Sequence, residues 1–325
     1  MDRRNFLKKG TTAVGLAASQ KILEPLAAAG EAAKQASAFP KRELGKTGEN
    51  LSIIGFGGIV VTDTDPKFAA NIVAEAFDRG INYFDVAPTY GNAEERLGPA
   101  LEPYRKRSFL ACKTQKRDKE GAAAELEHSL KLLRTDHFDL YQLHAMTKLE
   151  DVEKVFAPSG AMEAFLAARK AGKIRFIGFS AHSVEAALAL MDRFEFDTIL
   201  FPFNFVLFSQ ANFGPQVLER ARQKKMGLLA LKGMAKTVWP KDMKEKDRPQ
   251  PKCWYQPAEL PVEASLALRW TLSLPVTAAV PPGDEKYFRF AMDVGQKFEP
   301  LRAEEEKTLM ARAAGVEPLF RLGNA

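Results

Sequence analysis

Four residues of this chain stand where chemistry can be done. Asp85 lies in the apolar run INYFDVA (81–87), Tyr90 follows five positions later, and Gly91 comes directly after it. Lys113 sits near the end of SFLACKT (108–114), and His144 ends FDLYQLH (138–144). A carboxylate is costly to bury alone, so Asp85 is either a loop residue or is held by a cation. Lys113 is the cation the chain offers. A phenol with a pKa of about 10 is a poor acid or base at neutral pH. A nearby ammonium favours the phenolate and lowers that value. A Tyr–Lys pair oriented by an aspartate can give a proton to a carbonyl oxygen as a hydride reaches its carbon. A histidine can donate a hydrogen bond to the same oxygen. This chemistry uses neither a metal nor a side-chain nucleophile.

Elements that could bring these residues together recur along the chain. Eight apolar runs (51–58, 81–87, 108–114, 138–144, 174–180, 197–204, 227–233 and 276–282) alternate with segments of helical spacing. In DPKFAANIVAEAFDRG, Phe68, Ile72, Val73, Ala76 and Phe77 share one helix face, and a basic residue then glycine closes the segment. This rhythm predicts an α/β fold, a single closed (β/α)8 TIM barrel, with chemistry at the C-terminal ends of the strands. An open doubly wound sheet is the rival, but no G-x-G-x-x-G follows an early strand. A long polar loop (236–257) follows the seventh run and carries Trp239, Trp254 and Tyr255, which either line a substrate mouth or pack the loop. A C-terminal helix is expected over 301–315.

The first 38 residues read differently. Arg3-Arg4 precede Phe6-Leu7-Lys8, a weakly apolar stretch follows, and small residues surround Ala29 and Ala38. This pattern predicts an export signal and linker over 1–38, of the twin-arginine type that exports folded proteins. Its expected partner is the twin-arginine export machinery and its destination the periplasm or exterior. The apolar run is too short for a stable membrane anchor. The barrel is then expected over 39–325. A net charge of +6 on 325 residues does not argue for nucleic acid. Two cysteines, Cys112 and Cys253, make neither a disulfide framework nor a metal set.

FDVAPTYGNAEERLG, LACKT and DLYQLHA resemble, in order, three signature segments of the aldo-keto reductase family. RELGKTGENLSIIGFGG resembles that family's opening and GKIRFIGFS its fifth strand, so the likeness covers about residues 39–300. The resemblance implies a (β/α)8 barrel, NADP(H) ahead of NAD(H) bound without a Rossmann fold, and interconversion of a small carbonyl or sugar-like compound with its alcohol. It makes Tyr90 the proton donor, Lys113 and Asp85 its tuners, and His144 the substrate orienter. It implies cofactor contacts at Ser180, Asn204, Lys232, Gly283, Lys286 and Arg289.

The sequence departs from that family in four places. Ala181 and His182 follow Ser180 where an asparagine is usual, and Leu200 replaces a glutamine. Leu231-Lys232 stands where a stacking aromatic is common. Asp284 and Glu285 follow Gly283, and carboxylates there repel a 2′-phosphate. A nicotinamide-binding sensor of the same fold is therefore the alternative to an enzyme. A sugar hydrolase would need paired carboxylates at strand ends, and only Asp85 is so placed.

Overall fold

The computed structural model describes residues 39–322. The export-signal reading of residues 1–38 lies outside them. Eight parallel strands form one sheet in the order β12-β9-β8-β7-β6-β5-β4-β3. These are β3 (Phe56–Gly57), β4 (Tyr83–Asp85), β5 (Phe109–Thr114), β6 (Phe138–Met146), β7 (Ile174–Ala181), β8 (Thr198–Pro202), β9 (Gly227–Leu231) and β12 (Ala278–Val280). A bridge between Ile54 and Ala279 joins the two edges, with Gly55 N donating to Ala279 O at 3.0 Å. Helices pack around the outside, and the (β/α)8 barrel expected from the alternation is the fold observed.

The helices form for local reasons that the sequence states. In Pro66–Asp78, the Asp65 carboxylate accepts from Lys67 N at 2.8 Å and Pro66 opens the first turn. Ala69, Ile72, Val73 and Ala76 are buried against the sheet, and Gly80, at φ +98°, lets the chain leave the helix. Ile72 and Val73, fully buried, each contribute about 1.5–3 kcal/mol.

Strand alternation sorts the side chains into two shells. Phe84, Leu110, Cys112, Tyr141 and Leu143 point outward into the core beneath the helices. Tyr83, Phe109, Ala111, Leu140, Leu200, Leu229 and Ala278 point into the barrel. Continuing each inward column toward the C-terminal end gives Asp85 after Tyr83, Lys113 after Ala111, and Gln142 after Leu140. The barrel is thus apolar at its base and polar at its top.

The base is closed by a hairpin of β1 (Lys41–Glu43) and β2 (Asn50–Ser52), which brings Leu44 and Leu51 into the interior cluster. The run 51–58, expected as one strand, therefore divides between this plug and the short β3. The loop after β9 also differs from expectation. It contains an antiparallel pair, β10 (Ala235–Val238) and β11 (Tyr255–Pro257), because Tyr255 and Pro257 alternate inward on a half-buried hairpin. The C-terminal helix spans Ala303–Ala313.

Gly45 turns the plug at φ +54°, and a Cβ there would meet Gly227 N at 2.3 Å. Gly45→Ala is expected to destabilise the fold by more than about 1 kcal/mol. Urea unfolding checks this, and an unchanged midpoint would mean that the plug does not contribute to stability.

Candidate active site

β4 and β5 present Asp85 and Lys113 side by side at the top of the barrel. The two form an ion pair at 2 % and 0 % exposure. Stripping water from two ions costs several kcal/mol each, so such a pair survives only where its remaining polar atoms are also satisfied. Here they are. Lys113 Nζ also donates to Val86 O at 3.1 Å. The other Asp85 oxygen accepts from Tyr83 Oη at 3.2 Å and from Gln142 Nε2 at 3.3 Å. Burial alone would lower the Lys113 pKa, but Asp85 and Tyr90 more than offset it and hold it above the ordinary lysine value. Lys113 is a fixed positive charge.

Tyr90 reaches the pair from the loop after β4. Its backbone N donates to Ala87 O at 3.0 Å and its carbonyl accepts from Thr62 Oγ1 at 3.0 Å. Gly91, at φ +57°, then turns the chain into the helix Ala93–Leu101. The Lys113 ammonium lies 5.0 Å from the Tyr90 ring centre. The expected lowering of the Tyr90 pKa is not what the structure gives. Burial raises it, Lys113 opposes the rise, and the net direction is upward. The phenol stays protonated at neutral pH, the form a proton donor requires.

His144 is aimed by an irregularity in β6. The pairing of β6 with β7 slips between Leu143 and Met146, and Ala145 adopts φ +54°. The Ser180 hydroxyl accepts from Ala145 N at 2.9 Å and so fixes the kink. The His144 ring stands edge-on to Tyr90, 5.8 Å between centres, with Nδ1 3.4 Å from Thr89 Oγ1. Burial, then Lys113, Arg117 and Lys232, push the His144 pKa down to about 3. The imidazole is neutral, and its Nε2–H tautomer is the one in which Thr89 Oγ1 donates to Nδ1.

Asp85, Tyr90, Lys113 and His144 all line one cavity of about 340 Å³. Ser180, Lys232 and Gly283 line it too. Asn204, Lys286 and Arg289 stand elsewhere. The Asn204 amide donates to Lys232 O at 2.9 Å and Ala235 O at 2.5 Å, and its oxygen caps the helix Phe205–Ala211. It fixes the turn that carries Lys232. Arg289 joins Glu75 at 2.9 Å and Glu285 at 3.6 Å, and Lys286 is exposed. Asp284 caps the helix Glu285–Gln296 by accepting from Lys286 N at 2.9 Å.

The long loop divides the roles of its aromatics. Trp254 and Tyr255 line the cavity, whereas Trp239 packs the loop by donating to Cys253 O at 2.7 Å. His182, undecided from sequence, lines the cavity with its ring nitrogen 3.1 Å from Lys232 Nζ. Lys252 reaches across to Val60 O at 3.1 Å and also lines it. Sequence reasoning missed Gln142, Tyr83, Thr89 and Lys252. Gln142 had a signal, since it lies two positions before His144 on the inward face of a strand. Both cysteines are buried free thiols. Among the described residues no cluster has metal-ligating geometry, and no helix is long and apolar enough to cross a membrane.

A nicotinamide end fits this cavity. Leu200, Leu231, Val280 and Pro281 give apolar surface, and the Ser180 hydroxyl, accepting from Ala145, retains its own proton to donate. The cations Lys252, Lys286 and Arg289 stand near the strand β12 end, though Arg289 is already paired.

The depressed His144 pKa has a pH consequence. The unfolded chain takes up this proton near the ordinary histidine value of about 6.5 while the folded chain refuses it until about 3. The stability tied to neutral His144 is therefore present above pH ~6.5 and lost as pH falls. His182, also pushed down by burial and Lys232, acts in the same direction. Between pH ~7 and ~5 His144 is expected to account for about 2 kcal/mol of lost stability. Urea unfolding at both pH values checks this: His144→Gln should flatten the dependence, and a slope equal to wild type would contradict it.

The sequence model of the Aldo/keto reductase family matches residues 53–271. The chain is 35% identical over 158 residues to the aldo-keto reductase YhdN of Bacillus subtilis, covering 43% of this chain and 46% of that protein. It is 30% identical over 169 residues to a 6-dehydroglucose reductase of Novosphingobium aromaticivorans, covering 46% and 54% respectively. The chain spans about half the length of the curated relatives it matches. The solved holo form of aldo-keto reductase AKR11C1 from Bacillus halodurans superposes with a TM-score of 0.67. That match covers 85% of this chain and 96% of the other at 22% identity, which is a likeness of fold.

Proposed function

Because the chain belongs to the aldo/keto reductase family, we propose that it is an NAD(P)H-dependent oxidoreductase that interconverts a small aldehyde or ketone with its alcohol. The observation that carries this reading is the convergence of Tyr90, His144 and the buried Asp85–Lys113 pair on one cavity. When bound, the reduced nicotinamide supplies a hydride to the carbonyl carbon. The protonated Tyr90 phenol gives its proton to the carbonyl oxygen. Lys113, held positive by Asp85, stabilises the phenolate that remains. Neutral His144 donates from Nε2 to the same oxygen and orients the substrate. Trp254 and Tyr255 from the loop cover the cavity and limit water.

Ser180 and Gly283 would hold the nicotinamide half, and Lys252 and Lys286 the phosphates, Arg289 being held by Glu75 and Glu285. A side chain at Gly283 would strike Ile59 at 2.2 Å, so this position admits only the bare backbone. NADP(H) is favoured over NAD(H), because Asp284 is spent on a helix cap and Glu285 is partnered by Arg289. Lys286 is left to meet a 2′-phosphate. A cavity of about 340 Å³ suits a substrate of sugar size or less beside the nicotinamide. The similarity to a 6-dehydroglucose reductase supports the sugar-like class. The Arg3-Arg4-Asn5-Phe6-Leu7-Lys8 segment supports export of the folded chain by the twin-arginine route.

The test is to follow NADPH and NADH consumption with glyceraldehyde, alongside cofactor titration by protein fluorescence. Tyr90→Phe is expected to lower kcat by about 10²–10⁴-fold while still binding NADPH. Retention of wild-type turnover by this variant would remove Tyr90 as proton donor. A wild type that binds cofactor and reduces nothing would point to a nicotinamide-binding sensor.

A further inference from the structure

Lys232 differs from Lys113, which lines the same cavity. Lys113 has Asp85, but no carboxylate among the described residues raises the Lys232 pKa. Lys232 is only 9% exposed, and burial pulls its pKa down to about 7. Its neighbours are three aromatic rings and an imidazole. The ammonium lies 5.3 Å from the centre of Trp254, 5.8 Å from Phe320 and 6.0 Å from Tyr255. His182 Nε2 is 3.1 Å away. The chain places it there at some cost. Lys232 is a non-glycine residue at φ +61°, and both amide hydrogens of Asn204 are used to hold its turn.

A buried lysine that no carboxylate among the described residues partners, open to a cavity that also holds a proton donor, is a site for an anion, which would hold it in its charged form. We propose that Lys232, one of whose protons is accepted by His182 Nε2, binds a carboxylate on the substrate, so that the preferred substrates are oxo acids or sugar acids. This rests on the carbonyl-reducing reading and names its substrate class. A single ammonium beside a neutral imidazole matches the one charge of a carboxylate better than the two of a phosphate ester. The cofactor phosphates are the competing occupant. The residues around Lys232 come from the end of β7 (His182), the loop after β10 and the start of β11 (Trp254, Tyr255) and the C-terminal segment (Phe320). Of the residues suited to phosphates, Lys286 follows β12, and Lys252, on the loop after β10, feels Asp284 and Glu285 from that segment.

The test compares substrates that differ only in the acid. With NADPH saturating, kcat/KM is measured for succinic semialdehyde against butanal and for glucuronate against glucose. Wild type is expected to prefer each acid by about tenfold or more. Lys232→Met should bring that ratio toward one, and Lys232→Arg should restore part of it. Equal values for acid and neutral partners in wild type would overturn the proposal without any variant being made. Weakened NADPH binding in Lys232→Met with the acid preference intact would assign Lys232 to the cofactor instead. If none of the four compounds turns over, the reductase reading fails, and calorimetric titration with succinate decides the anion site separately. Succinate binding by wild type, lost in Lys232→Met and absent for butane-1,4-diol, upholds the site. No succinate binding by wild type rejects it.

Discussion

Everything at the top of this barrel depends on one buried ion pair. Asp85 and Lys113 are enclosed by protein, and neither is tolerable there without the other. Tyr83 and Gln142 fill the remaining acceptor positions on Asp85, and Val86 takes a second Lys113 proton. The result is a positive charge fixed in a dry place next to a phenol. The pair contributes little net stability by itself. In the proposed reaction its contribution is electrostatic preorganisation for a charge that develops on Tyr90.

The rest of the fold serves to deliver that pair. Period-two alternation makes the inward columns of β4, β5 and β6 apolar at the base and polar at the top. The hairpin carrying Leu44 and Leu51 closes the base with hydrocarbon, so that water approaches from one end. Two small backbone irregularities then set the directions of the other groups. The left-handed Ala145 turns His144 toward Tyr90, and the left-handed Lys232 turns its own side chain into the aromatic cage. Each irregularity is held by a hydrogen bond with an adjacent strand end: Ser180 accepts from Ala145 N in the first and Asn204 donates to Lys232 O in the second.

Much of this was legible in the sequence, and the boundary of legibility has physical causes. The barrel follows from eight apolar runs alternating with amphipathic segments. Asp85, Lys113 and His144 were readable because polar residues at the ends of core strands need a reason. What the sequence hid depends on contacts between distant segments. Arg289 looks available for a phosphate until Glu75 on another helix pairs with it. Asn204 looks like a ligand-binding amide until its four hydrogen bonds are seen to go to backbone. The direction of the Tyr90 pKa turns on burial outweighing a nearby ammonium, a balance no spacing reveals. Phe320 joins the Lys232 cage from the far end of the chain, with nothing in its local sequence to mark it. The run 51–58 divides in two because its first residues pair with Lys41–Glu43.

The central claim is that Asp85 and Lys113 are tolerated only as a pair. A double-mutant cycle in urea unfolding tests it most directly, using Asp85→Asn, Lys113→Met and both together. Each single change is expected to cost about 3–5 kcal/mol, because it strands a buried partner. The double variant should cost far less than the sum. Additive losses would contradict the account, since they would mean that the two groups occupy the barrel independently.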